Sequence, residues 1–213
     1  MHAYYSERAP FMAKGLEIEP AGQLLEILAE LKTLARDKTV LEVACGTGYW
    51  TRFVGPLSRS TTATDYSTTM LGIAQSLGLP NTRVIYDDAY HLGGVYGEQF
   101  DFGFAMHWVS HIPLARWSEF FTAFHARLKP GATVMLADDI RRPDDADVWY
   151  SKLPTRDTFE IRHLPNGESY EIVKTFFTPE QLGALLEPYA TNLRLRFDRP
   201  RWWLTYDVRG DLT

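Results

Sequence analysis

The chain of 213 residues is long enough for one α/β domain with a full hydrophobic core, and its 45% apolar and 23% charged residues are ordinary for a globular protein. A net charge of −5 argues against a nucleic-acid partner, and no apolar run approaches the roughly 20 residues of a membrane-spanning helix. The start of the chain carries Glu7 and Arg8 where a signal peptide has its apolar core, and the single cysteine, Cys45, excludes an intrachain disulfide. We therefore expect a cytoplasmic protein, monomeric or homodimeric.

The first part of the chain alternates between helical and extended patterns. The spacing of Ile27 and the leucines around it predicts an amphipathic helix over about residues 20–36, and the apolar run 39–44 predicts a buried strand that ends in a glycine-containing turn. Further strands are predicted at 60–64, 83–86, 100–106 and 133–137. Further helices are predicted at 49–58, after Ser67 and at 117–128. This alternation is typical of a parallel sheet that is covered by helices on both faces.

The pattern changes after the fifth predicted strand. Segments 158–164 and 169–176 flank Asn166-Gly167, which is a strong signal for a hairpin turn. Thr178 as a cap and Pro179 at the first helical position open another helix. The last predicted elements are a closing antiparallel pair, at 193–197 and 202–208. The sequence therefore predicts an inserted hairpin followed by an antiparallel end to the sheet.

Acidic residues recur at a constant interval along the predicted strands. Glu42, Asp65 and Asp88 follow or end the first three strands, and both intervals (65 − 42 and 88 − 65) are 23 residues. Asp87 is interpreted as a solvated neighbour of Asp88, although the two could exchange roles. Because the carboxyl ends of parallel strands form one ligand-binding edge, we expect three carboxylates to meet there.

The loop after the first strand has glycines but no phosphate-binding residue. Gly46 and Gly48 let a ligand approach the backbone, and the absence of lysine excludes a P-loop. The dinucleotide pattern fails because Thr51 occupies its third glycine position. S-adenosylmethionine matches such a site, since its ribose diol, adenine amino group and ammonium are all donors to carboxylates and it has no phosphate.

The ordered motifs LEVACGTGYW, TATDYSTTML, YDDAYHL, FDFGFAMHWVSHIP and RLKPGATVMLADD resemble those of the class I S-adenosylmethionine-dependent methyltransferases, over about residues 38–139. The resemblance implies a Rossmann-like α/β fold with a seven-stranded, mostly parallel sheet, helices on both faces and an antiparallel last strand. With the inserted β-hairpin after strand five, this is the fold that we expect. One departure is Ala44, which replaces the first glycine of the commoner motif; alanine is tolerable there if the residue keeps a strand-like φ.

The resemblance also implies roles for individual residues. Glu42 and the loop backbone hold the methionine portion of the cofactor, Asp65 the ribose and Asp88 the adenine amino group. Tyr66 and Met70 lie beside Asp65, the Ala89 backbone contacts the adenine ring, and His107 lies near the transferring methyl group. The expected loop contacts are Ala44, Gly46, Thr47 and Gly48.

Three residues near strand ends are candidates for a general base, which the reaction needs only if its acceptor carries a proton. They are His107, His111 and Asp138. His107 and His111 have the i, i+4 spacing of a metal pair, but no HExxH pattern accompanies them, so we expect no metal. Ordinary loop packing is an equal alternative for His111. Asp138 or its neighbour Asp139 could instead neutralise a cationic acceptor.

The expected domain organisation is a single domain of residues 1–213. Residues 1–20 are either a lid over the cofactor, with Tyr4 and Tyr5 contacting substrate, or a frayed terminus. Trp108 is a further candidate for contact with the acceptor. The inserted region 143–177 is expected to cover the substrate. We predict methyl transfer from S-adenosylmethionine to an unidentified small molecule by in-line displacement. The alternatives are a nicotinamide-dependent oxidoreductase and a non-catalytic module that binds S-adenosylmethionine.

Overall fold

The computed structural model describes residues 2–141, 149–152 and 157–210. Its strands, in chain order, are β1 Thr39–Val43, β2 Ser60–Asp65, β3 Thr82–Tyr86, β4 Phe100–Met106, β5 Leu128–Asp139, β6 Trp149–Ser151, β7 Thr158–His163, β8 Ser169–Val173, β9 Ala190–Asp198 and β10 Arg201–Val208. Its α-helices are α1 His2–Ala13, α2 Gln23–Ala35, α3 Thr51–Val54, α4 Thr68–Ser76, α5 Trp117–His125 and α6 Pro179–Leu186.

Seven strands form one sheet in the order β3-β2-β1-β4-β5-β10-β9. The pairs among β1 to β5 are parallel, whereas β10 is antiparallel to both β5 and β9. The chain reverses its direction along the sheet between β1 and β4, which places a topological switch point at their carboxyl ends. The predicted fold class is therefore confirmed.

The inserted hairpin is confirmed, but it is part of a larger unit. β7 and β8 pair antiparallel on either side of the Asn166-Gly167 turn, and the short strand β6 adds to β7 to make a second, three-stranded sheet. We call β6, β7 and β8 the inserted sheet. Residues 143–148 and 153–156 of the predicted insertion lie outside the described residues.

The core has a layer on each face of the main sheet. On one face, the phenylalanines of α5 pack with Trp202 of β10 and the apolar side chains of α6. On the other face, Leu28 and Leu31 of α2 pack with Phe104 and Trp203. Helices on both faces of the sheet satisfy its apolar surfaces, as the alternating pattern predicts. No helix within the described residues is both long and apolar enough to cross a bilayer.

Two helices differ from the sequence-based expectation. The helix predicted at 49–58 is reduced to the single turn of α3. The N-terminal segment, for which no helix was predicted, forms α1 and continues into the 3₁₀ turn Lys14–Glu17. Arg52, on α3, donates to the carbonyls of Leu16 and Ile18, so it ties the end of the N-terminal segment to the main sheet layer.

Candidate active site

The loop after β1 has left-handed backbone at three alternate positions. Ala44, Gly46 and Gly48 have φ values of +58°, +57° and +85°. Ala44 therefore does not meet the condition of a strand-like φ. The left-handed region costs a non-glycine residue about 1–2 kcal/mol, which makes Ala44 a strained position at the carboxyl end of β1.

The two glycines of this loop serve different purposes. A Cβ on Gly48 would lie 3.0 Å from Leu77 Cδ1 and 3.3 Å from Ala74 Cβ, so its absence lets the loop pack against α4. A Cβ on Gly46 would meet nothing within 4 Å. Thr47, between them, is buried. The loop is thus packed on the Gly48 side and has open space beside Gly46, where a ligand can approach the backbone.

Asp65 connects the ends of β1 and β2. Its two carboxylate oxygens accept from the backbone amides of Gly46 (2.9 Å) and Ser67 (2.8 Å). Ser67 in turn caps α4, as predicted, by accepting from Met70 N. Burial raises the pKa of Asp65. Each oxygen keeps a further lone pair, so the carboxylate can accept from a ligand without releasing the loop.

Glu42 is the most deeply buried of the three spaced carboxylates. It is 2% exposed, and Thr51 Oγ1 donates to it at 2.6 Å. Burial raises the pKa of Glu42 to about 8, against the lowering effect of the Thr51 hydrogen bond. A neutral carboxylic acid therefore lies under the loop at neutral pH, and a cationic ligand group nearby would favour its ionised form.

Asp87 and Asp88 have distinct environments. Asp87 is buried and accepts from the amides of Asp88 and Gly94, both at 2.9 Å, so the expectation that it is solvated is wrong. Its backbone-capping role explains why the side chain turns inward. The side chain of Asp88 is 36% exposed and accepts from Tyr90 N at 2.9 Å. Asp88, with the partly buried Ala89 beside it, is therefore the residue of the pair that remains accessible to a ligand.

Tyr66 and Met70, which follow Asp65 in the chain, differ in solvent exposure. Tyr66 is 50% exposed, and its ring lies 5.0 Å from that of Tyr86. Met70, on α4, is 2% exposed. Tyr66 is therefore open to a ligand at the surface, whereas Met70 is a buried residue of the helix that follows Asp65.

His107 follows β4 in a left-handed conformation, with φ +56°. Its amide donates to Ala137 O at 2.8 Å, and its ring is stacked on the ring of Trp50, with 6.4 Å between centroids. Nδ1 lies 3.6 Å from Asp139 Oδ2, and the side chain is 34% exposed. His107 is therefore held at the carboxyl edge of the sheet while part of its ring remains accessible.

Both ring nitrogens of His111 are engaged by the protein. Nδ1 lies 2.6 Å from the carbonyl of Val173, which can only accept, so Nδ1 carries the proton. Nε2, 2.7 Å from the hydroxyl of Tyr5, is then the acceptor of that hydroxyl's proton. Burial, assisted by the charge of Lys174, lowers the pKa of His111 to about 3. A neutral imidazole that is hydrogen-bonded at both nitrogens and has so low a pKa is a poor general base.

Asp138 is fully buried and ion-paired. Its Oδ1 accepts from Lys174 Nζ (2.9 Å) and its Oδ2 from Ser110 N (2.9 Å). Burial alone would raise the pKa of Asp138, but the ammonium of Lys174 outweighs it and holds the pKa below the ordinary value. Asp138 therefore fastens the segment after β4 and does not present a free carboxylate for proton transfer.

Lys174 is the main residue at this edge that sequence reasoning missed. Its side chain is 3% exposed, and Nζ also donates to Ser110 Oγ at 2.9 Å. The neighbouring Thr175 N donates to Ser110 O at 2.8 Å. A lysine that directly follows a strand carries no signal of burial in the sequence, because its partner Asp138 is 36 residues away.

One histidine and two aspartates at this edge have the spacing of a metal site. Ligand atoms of His107, Asp138 and Asp139 lie within 4.8 Å of one another. However, Lys174 Nζ is 2.9 Å from Asp138 and 3.7 Å from Asp139, and Arg201 Nε is 3.4 Å from Asp139, so two cations already compensate the two carboxylates. We therefore assign no metal to this cluster.

The N-terminal helix lies across these residues. His2 Nε2 is 3.2 Å from Tyr66 O, and Ser6 Oγ is 2.9 Å from Ser67 Oγ, at the start of α4. The first five residues of α1, little more than one turn, thus reach the strand ends next to Asp65 and, through Tyr5, the segment after β4. The alternative of a frayed terminus does not hold for α1.

Tyr4 and Trp108 lie on either side of the site. Tyr4 is 2% exposed and packs with Leu164 and Ile172 of the inserted region, so it is a core residue of that contact. Trp108 is partly exposed, and its ring lies 6.1 Å from that of Tyr90. Its Nε1 is buried and has no hydrogen-bond partner among residues 2–141, 149–152 and 157–210. Trp108 therefore offers an unused donor next to the Asp88 loop.

The structure brings the predicted site residues to one edge of the sheet. Asp65 and the glycine loop are in contact, and Glu42 lies beneath them. His107, His111 and Asp138 cluster at the ends of β4 and β5. One half of this edge is thus rich in carboxylates, and the other half contains the two imidazoles. Helix α1 lies over the edge.

Comparisons with known proteins point in one direction. A family model described as a methyltransferase domain matches residues 40–131. A search of curated proteins gave no match. Among solved structures, the chain is similar to DhpI in complex with SAH, with 26% identity and a TM-score of 0.75 over 97% of this chain and 94% of that chain.

Two further solved structures share the fold. DhpI in complex with SAM and HEP has 24% identity and a TM-score of 0.73, over 96% of this chain and 94% of that chain. CalS10 from Micromonospora echinaspora, an amino pentose methyltransferase with SAM bound, has 15% identity and a TM-score of 0.66, over 95% and 96% of the two chains. These similarities extend over nearly the whole length of the proteins compared.

Proposed function

We propose that the chain is a class I S-adenosylmethionine-dependent methyltransferase and that it methylates a small molecule at the carboxyl edge of its main sheet. The observation that carries this proposal is the meeting of Asp65 with the glycine loop, which has open space at Gly46 and no phosphate-binding side chain. Such an edge suits a ligand that is rich in hydrogen-bond donors.

The residues present fit S-adenosylmethionine. Asp65 has lone pairs left for the ribose hydroxyls, and the accessible Asp88 can accept from the adenine amino group. Glu42 and the backbone of the glycine loop would hold the methionine portion, with Glu42 ionised beside its ammonium. Tyr66, Met70 and Ala89 would complete the adenosine site.

The bound cofactor supplies an electrophilic methyl group on a sulfonium. The protein's task is to align the acceptor with that methyl group and to exclude water, and alignment alone can contribute about 7–11 kcal/mol. Trp108, through its partly exposed ring, and Tyr5 are the side chains that would contact the acceptor.

For an acceptor that carries a proton, His107 is the proton acceptor. It alone of the three candidates combines a partly accessible ring with a neighbouring carboxylate, Asp139. His111 is committed to Tyr5 and Val173, and Asp138 to Lys174. The last two therefore support the architecture of the acceptor site and take no proton.

Helix α1 and the inserted sheet together form the cover of the site. Tyr4 packs against the inserted region and Tyr5 bonds to His111, while Ser6 reaches the start of α4. We assign residues 1–20 as a lid and the region 143–177 as a substrate cover within one domain. Such a cover would limit the access of water to the transferring methyl group.

Two observations favour a small molecule as the methyl acceptor. The chain has a net charge of −5, which disfavours nucleic acid. Similar proteins include an amino pentose methyltransferase. The cytoplasmic location, the monomeric or homodimeric state and the absence of nucleic-acid partners stay predictions from the sequence.

Two measurements distinguish the proposed function from the two alternative functions. Equilibrium titration with S-adenosylhomocysteine and with NADH distinguishes a methyltransferase from a nicotinamide-dependent oxidoreductase, and we expect binding of the former alone. A screen of phenols, amines, thiols and carboxylates, read by the S-adenosylhomocysteine formed, distinguishes an enzyme from a binding module. With an active acceptor, His107→Ala should cut turnover while cofactor affinity changes little. Unchanged turnover would remove His107 from the reaction.

A further inference from the structure

The carboxylate of Asp139, at the end of β5, is oriented by three groups. Its Oδ2 lies 3.6 Å from His107 Nδ1 and 3.7 Å from Lys174 Nζ. Its Oδ1 lies 3.4 Å from Arg201 Nε. The two oxygens therefore have different neighbours, and the oxygen that faces His107 is the one shared with Lys174.

The backbone fixes the position of Asp139 as firmly as these charges do. Asp139 pairs directly with Arg201 across β5 and β10, and its amide donates to Asp138 Oδ1 at 2.9 Å. Burial alone would raise the pKa of Asp139, but His107 and the two cations outweigh burial and hold the pKa well below its ordinary value. The group that faces His107 is thus a carboxylate throughout the neutral range.

The imidazole of His107 is restrained from other directions as well. Its backbone amide is bonded to Ala137 O, and its ring is stacked on Trp50. Both oxygens of Asp138 accept hydrogen bonds from other groups, Oδ1 from Lys174 Nζ and Oδ2 from Ser110 N, whereas Asp139 Oδ2 lies 3.6 Å from the imidazole. His111 is held as a neutral imidazole by Tyr5 and Val173. Asp139 is therefore the carboxylate that acts on Nδ1 of His107.

We propose that Asp139 is a positioning residue that keeps the proton of neutral His107 on Nδ1 and so leaves the lone pair of Nε2 for the acceptor's proton. The inference rests on the proposed function and extends it. A hydrogen bond to one ring nitrogen of histidine decides which nitrogen is protonated. The separation of 3.6 Å is slightly longer than a hydrogen bond, and catalytic hydrogen bonds are often long without substrate and tighten in the reacting complex.

The proton balance of the step is complete. The acceptor's lone pair forms the new bond to carbon, and the bonding pair that held the methyl group stays with sulfur. The acceptor's proton moves to Nε2, and the resulting imidazolium is stabilised by Asp139 at Nδ1. The proton then leaves to solvent from the partly exposed ring.

The tautomer of His107 can be measured without any acceptor. Long-range ¹H–¹⁵N correlations on ¹⁵N-histidine-labelled protein, well above the ordinary titration range of histidine, distinguish Nδ1–H from Nε2–H. The spectrum of His107→Gln assigns the signals. His111 is a reference in the same spectra, because Val173 O requires its Nδ1–H form.

We expect wild-type His107 to be in the Nδ1–H form. In Asp139→Ala it should move towards Nε2–H, the form that an unrestrained imidazole prefers, while Asp139→Asn, whose amide oxygen still accepts, should restore Nδ1–H. A matched control, Asp207→Asn, removes a carboxylate at the other end of β10, about 20 Å away, and should change nothing.

Two outcomes would overturn the inference. One is an Nε2–H form of His107 in the wild-type protein, a result that does not depend on the folding of any variant. The other is an unchanged His107 tautomer in Asp139→Ala. Titration of the same wild-type sample with S-adenosylhomocysteine tests the proposed function separately, since a failure to bind would contradict that function whichever tautomer His107 adopts.

Discussion

The hydroxyl of Tyr5 donates to Nε2 of His111 across 2.7 Å, and this bond joins the N-terminal helix to the segment that follows β4. The same helix bonds to Ser67 at the start of α4. Because Nδ1 of His111 donates to Val173 O, the connection continues into the inserted sheet. The N-terminal helix therefore bridges the proposed cofactor half and the proposed acceptor half of the site.

This bridge predicts that the two covers respond together to the cofactor. In the wild-type protein, S-adenosylhomocysteine should slow amide hydrogen exchange both in α1 and in β7 and β8. Tyr5→Phe leaves His111 Nε2 buried without its donor, at a cost of about 1–3 kcal/mol. We expect exchange in α1 to rise by about tenfold in this variant and the response of β7 and β8 to be lost.

The control for this experiment is Tyr96→Phe, at a tyrosine that is 81% exposed. It should leave both responses intact. If β7 and β8 in Tyr5→Phe still respond to S-adenosylhomocysteine as in the wild type, the bridge does not couple the two halves.

The left-handed loop predicts that two substitutions at nearly equal φ have opposite effects on the free energy of unfolding. Ala44 and Gly46 have φ of +58° and +57°. Ala44→Gly relieves the strain of a Cβ and should raise the free energy of unfolding by about 0.5–1 kcal/mol, because the glycine's greater entropy in the unfolded chain offsets part of the gain. Gly46→Ala should lower it by about 1 kcal/mol, since nothing crowds the added Cβ and the backbone strain acts alone. Urea denaturation measures both, and a loss of stability in Ala44→Gly would contradict the assigned backbone conformation.

Glu42 predicts that cofactor binding releases a proton. Its pKa is raised to about 8 by burial, so the side chain is mostly protonated at pH 7. The ammonium of the ligand would favour the carboxylate and displace about one proton. Titration calorimetry with S-adenosylhomocysteine in buffers of different ionisation enthalpy counts this proton.

A variant isolates the contribution of Glu42. Burial also raises the pKa of Asp65, so the wild-type count alone does not identify the group. Glu42→Gln should remove most of the proton release, whereas Glu26→Gln, at an exposed position on α2, should not. Equal release in Glu42→Gln and the wild type would assign the proton to another group.

A buried histidine far from the site predicts acid sensitivity. His125 Nε2 lies 2.7 Å from the hydroxyl of Tyr206, and burial lowers the pKa of His125 from 6.5 to about 4. The unfolded chain therefore binds this proton more readily between pH 6.5 and 4. Its contribution to stability is complete above pH 6.5 and is lost as the pH falls through this window, by about 3 kcal/mol.

The measurement is the free energy of unfolding as a function of pH. His125→Phe should flatten the decline between pH 6.5 and 4, even if its stability at neutral pH is lower because Tyr206 loses its partner. His163→Gln, at an exposed position, should leave the slope unchanged. A slope in His125→Phe as steep as in the wild type would assign the acid sensitivity to other groups, of which His111 is the foremost.

The main sheet and its acidic edge could be predicted because their signals are local. Apolar runs of strand length, the cap at Ser67 and the even spacing of Glu42, Asp65 and Asp88 are all visible in short windows of sequence. The Thr178 cap and Pro179 likewise specify the start of α6, where the capping box forms with Gln181. In each case the stabilising contact lies within a few residues of the signal.

What sequence reasoning missed depends on distant contacts. Helix α1 contains Pro10 and only a weak apolar face, and it is held by Tyr4 and Tyr5 against residues more than 100 positions away. Lys174 is buried only because Asp138 and Ser110 lie beside it in the fold. The positive φ of Ala44 follows from loop closure onto Asp65 and could not be read from an alanine, a residue that rarely adopts it.

The measurement that tests the central claim most directly is an equilibrium titration of S-adenosylhomocysteine into three proteins. The wild-type chain should bind. Asp65→Asn, which keeps one of the two acceptor oxygens that the amides of Gly46 and Ser67 use and loses the charge, should bind at least about tenfold more weakly, because charge-assisted bonds to the ribose contribute about 1.5–3 kcal/mol. Asp198→Asn, at an exposed carboxylate on β9, should bind like the wild type. No binding by the wild-type chain, or equal binding by all three proteins, would contradict the account.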